Sequence, residues 1–213
     1  MKILFFGDSI TEGRRERASQ NSTVAPYGLG TGYVNPIASE LIYNNPEKYK
    51  ITNTGISGNR IVDMFQRIKV DCWNYEPDVI SILCGVNDVW HELDFTNGVS
   101  PERYERIYRM MIEDTLQALP NAKIMILEPF IKEGPATKGR WEQFQIVYEY
   151  AKISKKIAEE FNLPFVPLQA KLDEYADKHG ADLTFIDGVH PSVAGARVIA
   201  NEWLKVFREK IEK

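Results

Sequence analysis

A serine, an aspartate and a histidine stand in this chain where acyl-transfer chemistry would need them. Ser9 follows the apolar run Ile3-Leu4-Phe5-Phe6 and the pair Gly7-Asp8. A serine hydroxyl is a weak nucleophile at neutral pH until a base removes its proton. His190 fits that task, because imidazole titrates near neutral pH. Asp187 lies three residues before it. That spacing lets one short turn hold the carboxylate against one ring nitrogen while the other faces Ser9. The aspartate would fix the tautomer and stabilise the imidazolium formed during attack. Acyl transfer also needs donors for the developing oxyanion, and the candidates are the backbone N–H groups of Ser9 and Gly58 and the side-chain amide of Asn87. Each residue alone has a structural reading: Ser9 as a helix cap, Asn87 as an Asx-turn residue, His190 and Asp187 as members of a surface turn.

Residues this far apart meet only if the fold brings them to one place. Ile3 to Phe6, Lys50 to Asn53, Asp78 to Cys84, Lys123 to Leu127 and Phe165 to Pro167 read as short buried strands. The last is an edge candidate because of Pro167. Helical spacing marks Tyr33 to Asn44, the stretch around Ile61 to Ile68, Pro101 to Leu119 behind a Ser100 cap, Trp141 to Phe161, Gln169 to His179 and Ser192 to Ile211. Arg14 to Gly32, Glu128 to Arg140 and Thr184 to Pro191 read as loops. Near-continuous apolar strands alternating with helices imply a parallel sheet covered on both faces. Such a sheet brings the ends of its strands to one edge, where open α/β sheets bind ligands. With no linker or repeat in view, residues 1–213 are expected to form one domain.

Composition narrows the partners. Hydrophobic residues make up 44% and charged residues 26%, a globular balance that excludes a disordered chain. The net charge of −4 is spread among interleaved acids and bases. It supplies no basic patch for nucleic acid. No apolar run is long enough to span a membrane. Met1 leads straight into a strand, without a secretory signal pattern. Cys72 and Cys84 sit in apolar patterns and read as buried free thiols, so a cytoplasmic setting is expected.

Four segments together resemble the sequence blocks of the SGNH (GDSL-type) hydrolases, in that family's order: Gly7-Asp8-Ser9-Ile10-Thr11, Gly55-Ile56-Ser57-Gly58-Asn59, Gly85-Val86-Asn87-Asp88 and Asp187-Gly188-Val189-His190-Pro191. One block is a weak signal; four in order are a strong one. The resemblance implies a three-layer α/β/α sandwich, flavodoxin-like, around a parallel sheet of about five strands. It implies Ser9 as nucleophile, Asp187 and His190 as its partners, and Gly58 and Asn87 completing the oxyanion hole with Ser9. It implies no metal and no cofactor. Leu29-Gly30-Thr31-Gly32-Tyr33-Val34, Asn87-Asp88-Val89-Trp90 and His190-Pro191-Ser192-Val193-Ala194-Gly195 further resemble bacterial serine acetylxylan esterases of this superfamily. The expected substrate is therefore an acetylated carbohydrate, with a lysophospholipase or thioesterase as the alternative.

Other residues are weighed against these. Trp90, His91, Tyr27 and Tyr33 are candidate substrate contacts, each with a packing or surface reading beside it. Asp8 reads as a turn stabiliser. Trp141 and Trp203 read as core or as the surface of a homo-oligomer. A phosphate-binding loop from Gly7 to Gly13 lacks both the Walker pattern and a GxGxxG fingerprint, and leaves Asp187 and His190 idle. A metal-dependent hydrolase using Asp8, Asp187 and His190 is the remaining alternative.

Overall fold

Apolar runs of β-branched and aromatic residues become strands here because both sheet faces are covered. The computed structural model describes residues 1–19 and 25–212. The strands β1 (Lys2–Gly7), β2 (Lys50–Asn53), β3 (Val79–Leu83), β4 (Lys123–Leu127) and β5 (Phe165–Val166) form an all-parallel sheet in the order β2-β1-β3-β4-β5. Every residue of β3 is buried, as expected of a central strand, and β5 is an edge. The chain leaves β1 toward β2 and then returns across it to β3. The strand order therefore reverses beside β1, and a crevice opens at its carboxyl end.

The helices are α1 (Ser9–Glu12), α2 (Pro26–Leu29), α3 (Val34–Asn44), α4 (Ile61–Asp71), α5 (Val86–Phe95), α6 (Pro101–Ala118), α7 (Trp141–Phe144), α8 (Val147–Glu160), α9 (Gln169–His179), α10 (Ala181–Thr184) and α11 (Val193–Lys210). α4, α6 and α8 pack side by side, and α11 packs between α3 and α9. Right-handed crossovers put the first group on one sheet face and the second on the other. This is the expected α/β/α sandwich. The core joins residues of both layers, from Ile3 to Ile211.

Trp203 shows how the layers lock. Its indole stacks on Phe207 at 4.8 Å between centroids, leans on Phe5 of β1 at 5.2 Å and donates its N–H to Ser81 of β3 at 2.9 Å. It is fully buried, so the reading of Trp203 as an oligomer surface is corrected to core. Cys72 and Cys84 are free and buried. Among the described residues no helix is long and apolar enough to cross a membrane.

The structure departs from the expected elements at several points, among them the short helices α1 and α10, which were not expected. Val86–Phe95 is a helix, where the sequence was read only as a strand-end turn. The Arg14 to Gly32 loop contains α2, and its residues 20–24 lie outside the described residues. The expected helix from Trp141 to Phe161 breaks at Gln145 and Ile146, where the bonds tighten to the i→i+3 kind: the N–H groups of Tyr148 and Glu149 reach the carbonyls of Gln145 and Ile146 at 3.0 and 2.9 Å.

Candidate active site

The nucleophile candidate sits in a turn with almost no freedom. β1 ends at Gly7, where a Cβ would lie 2.2 Å from Thr11 Oγ1 and 2.7 Å from the Leu83 carbonyl, so only glycine fits. Asp8 caps α1, its Oδ1 accepting the Ile10 N–H at 2.9 Å. This is the structural role expected of it. Burial pushes the Asp8 carboxyl up to about 6. Gly13, in the left-handed region, closes the single turn by returning its N–H to the Ser9 carbonyl at 3.0 Å. Ser9 is thereby fixed at the carboxyl end of β1.

The partners arrive from the far end of the chain. Ser9 Oγ lies 2.9 Å from His190 Nε2, and His190 Nδ1 lies 2.7 Å from Asp187 Oδ2. An ionised carboxylate only accepts, so Nδ1 carries the proton and Nε2 is left to accept from the serine. The other carboxylate oxygen takes the N–H groups of Val189 and His190 at 2.9 and 2.8 Å. Burial alone would raise the Asp187 carboxyl, but these bonds and the one from the ring outweigh it and hold it below the ordinary range. The same ring bond to Asp187 lifts the His190 imidazole above its ordinary value against a desolvation that works the other way.

The loop after β4 supports this turn. Lys132 donates its N–H to the Gly188 carbonyl, and Ala136 to that of Asp187, both at 2.9 Å. At Gly188, with φ +102, a Cβ would lie 2.5 Å from the Lys132 carbonyl. That support was invisible in the sequence, where residues 128–140 read only as a loop.

The oxyanion candidates converge on the turn after β2. Ile56 donates its N–H to the Gly7 carbonyl at 3.0 Å, and Ser57 lines the cleft beside Ser9. Gly58 has φ +79, a conformation L side chains rarely adopt. Asn87, in the first turn of α5, donates from Nδ2 to the Asn59 carbonyl at 3.1 Å. That bond uses one of the two amide hydrogens and leaves the other for a ligand. Asp88 beside it is fully buried and receives the Ile61 N–H at 3.0 Å, while burial pushes its carboxyl up to about 8.

A cleft of about 390 Å³ opens over Ser9 and His190, lined also by Glu12, Arg14, Thr31, Ser57 and Ile186. A second groove of about 540 Å³ shares Arg14 and Thr31 with it and is flanked by Tyr27, which is 67% exposed. The remaining substrate candidates separate. Tyr33 is a correction: it is fully buried, with its hydroxyl 3.0 Å from Thr11 Oγ1, and cannot meet a ligand. Its place in the buried stripe Tyr33, Ile37 and Leu41 was the available signal. Trp90 packs edge-on against Phe144, and its ring lies 6.2 Å from that of His190. His91 faces the Gly58 turn, 3.7 Å from where a Cβ of residue 58 would stand. Among the described residues no group of three or more His, Cys, Asp or Glu side chains is placed to hold a metal ion.

The GDSL-like lipase/acylhydrolase family model matches residues 5–198. An acetylxylan esterase from Geobacillus stearothermophilus is 34% identical over 209 residues, covering 96% of this chain and 92% of that protein. Its crystal structure superposes with a TM-score of 0.84 over 96% of this chain and 93% of that one. A GDSL-like protein from Parabacteroides merdae is 38% identical with a TM-score of 0.90, over 98% of this chain and 96% of that one. An alpha/beta hydrolase enzyme from the metagenome of Lake Arreo, Spain, is 26% identical with a TM-score of 0.84, over 96% and 94% of the two chains.

Proposed function

The chain belongs to the GDSL-like lipase/acylhydrolase family and is a carboxylic ester hydrolase, and from that premise we propose that it deacetylates acetylated xylo-oligosaccharides or related carbohydrates through an acetyl-Ser9 intermediate. The observation that carries the mechanism is the relay from Ser9 Oγ to His190 Nε2 at 2.9 Å and from His190 Nδ1 to Asp187 at 2.7 Å. Ser9 Oγ attacks the ester carbonyl carbon while His190 takes the hydroxyl proton. The carbonyl oxygen becomes an oxyanion, held by the Ser9 and Gly58 N–H groups and the free Asn87 amide hydrogen. Collapse breaks the bond to the sugar oxygen, which leaves with the proton from His190. Water then attacks acetyl-Ser9 with His190 again as base, releasing acetate.

The acyl acceptor is read from the cleft's chemistry and from kinship. Glu12, Arg14, Thr31 and Ser57 offer the polar lining that sugar hydroxyls need and an alkyl chain does not. Tyr27 offers an exposed ring in the adjoining groove. The Geobacillus stearothermophilus relative is an acetylxylan esterase. Acetate release should be measured on acetylated xylo-oligosaccharides, acetylated monosaccharides and short-chain lipids, beside a nitrophenyl ester series of increasing chain length. Highest turnover on the acetylated sugars with a preference for acetate supports the reading. A preference for chains of about eight carbons or more replaces it with the lysophospholipase or thioesterase alternative.

A further inference from the structure

Arg67 touches neither the cleft nor the relay, yet it joins the backbone segments on which the oxyanion donors depend. It lies on α4, between the buried residues Met64 and Ile68. A helical side chain leans toward the helix N-terminus, which carries this one back over the turn preceding α4. There its guanidinium binds four acceptors. Nε donates to Asn59 Oδ1 at 2.6 Å, Nη2 to the Gly7 carbonyl at 3.0 Å, and Nη1 to the Thr54 carbonyl at 2.8 Å and to Asp71 Oδ2 at 3.0 Å. The flat face of the group lies 4.4 Å from the centre of the Phe6 ring. Only 13% of the side chain is exposed.

These acceptors are not a random set. Gly7 is the last residue of β1, two before Ser9. Thr54 follows β2 at the start of the turn that carries Gly58. Asn59 adjoins Gly58, and its carbonyl accepts the Asn87 amide. One rigid fork therefore spans the nucleophile strand, the glycine turn and, through Asn59, the asparagine. A lysine presents a point charge on a flexible stem and cannot hold this planar set.

We propose that Arg67 is a positioning residue for the oxyanion hole, holding Asn59 so that the Asn87 amide is set against Ser9. The inference rests on the Ser9 mechanism above. Arg67 acts through Asn59 rather than on substrate, so its loss shows in turnover more than in substrate affinity. The fold has a reserve: without the arginine, the Gly7 carbonyl keeps the Ile56 N–H, whereas the Asn59 side chain loses the bond that fixes it.

The test measures kcat and KM for p-nitrophenyl acetate on the full chain carrying Arg67→Lys, Arg67→Met, Asn59→Ala, Asn87→Ala and the Arg67→Met/Asn87→Ala pair. Circular dichroism and melting monitor the fold. Misplacing a catalytic group by about 1 Å can cost roughly 100-fold. Arg67→Lys and Arg67→Met should thus lose roughly 10- to 100-fold in kcat with KM within about threefold. The double variant should fall no more than about threefold below Asn87→Ala alone, because the two changes disable one device. A purely structural arginine would instead give multiplying losses and overturn the proposal, as would folded Arg67 variants with wild-type kcat. If Arg67→Met does not fold, Asn59→Ala decides, since it keeps the arginine and cuts only its link to the hole: a matching loss of kcat supports the proposal, and an unchanged kcat overturns it. Ser9→Ala in parallel separates the two levels. Inactive Ser9→Ala with fully active Arg67 variants rejects only this inference, whereas active Ser9→Ala rejects the mechanism beneath it.

Discussion

The two sides of Ser9 are built differently. On one side, the turn from Gly55 to Asn59 is bonded into the sheet edge by buried groups. The fully buried Asn53 side chain reaches the Thr11 and Leu29 carbonyls at 2.7 and 2.8 Å and takes the Gly55 N–H at 2.9 Å. Arg15, largely buried, donates from Nε to the Gly55 carbonyl at 3.1 Å. On the other side lie Arg14 and Thr31, both exposed, with Tyr27 at 67% and Ile186 at 62% exposure. Buried polar groups that are bonded as these are hold one geometry. Exposed side chains at a cleft rim are free to differ without cost to the fold. On the proposed reading, the buried side fixes the chemistry and the exposed rim chooses the substrate. Damage to the first should appear in kcat, and damage to the second in KM.

Ser9→Ala removes the group both sides serve. Turnover of p-nitrophenyl acetate should fall at least about 10⁴-fold with the melting temperature nearly unchanged, read by steady-state kinetics and calorimetry. Asp187→Asn should lower kcat roughly 10²- to 10⁴-fold and shift the pH profile. The sign follows from the relay. His190 must be neutral to act as base, and its bond to Asp187 holds it above its ordinary value. Wild-type activity therefore declines as pH falls through that raised value, and without the carboxylate the decline moves to lower pH, as a pH–kcat/KM profile will record. Asn87→Ala removes one of the proposed oxyanion donors and should cost about 10²- to 10³-fold in kcat with little change in KM.

Tyr27→Ala tests the opposite side. It should raise KM for acetylated xylo-oligosaccharides about five- to tenfold, as expected for a lost stacking contact of about 1 kcal/mol, and leave p-nitrophenyl acetate hydrolysis unchanged. An equal effect on both substrates would erase the proposed division of labour. A separate effect, on stability rather than catalysis, concerns Asp88. Burial pushes its carboxyl up to about 8 from an ordinary 3.8, so the folded chain keeps a proton that the unfolded chain has lost. Stability is drained as pH rises from about 4 through about 8. Asp88→Asn has no such proton, and its melting temperature should fall less than the wild type's across that window.

Much of this was legible in the sequence because strands buried on both faces leave plain apolar runs: all five appear within a residue or two of their observed ends. Ser9 was legible because it follows a buried strand and a glycine, and Asp187 and His190 because they share one short turn around Gly188, which lies between α10 and α11. What escaped depended on tertiary context. α5 was hidden by Gly85, Asn87 and Asp88, which read as turn residues, although Val86, Val89, Trp90 and Leu93 carry helical spacing. Tyr33, at the start of a helical stretch and flanking the glycine-rich loop, was read as a substrate contact, yet its ring packs edge-on against Phe5, 5.8 Å between centroids. Arg67 looked like any cation on an amphipathic helix. Nothing in its neighbours in sequence tells that it reaches back across two strand ends.

Reaction with a fluorophosphonate, followed by peptide mass spectrometry, tests the central claim that Ser9 is the attacking group. Wild-type protein should carry one adduct, on the peptide containing Ser9, formed in step with the loss of esterase activity; Asp187→Asn should label more slowly and Ser9→Ala not at all. Full inactivation with the adduct on another residue, or an active enzyme that never labels at Ser9, would contradict it.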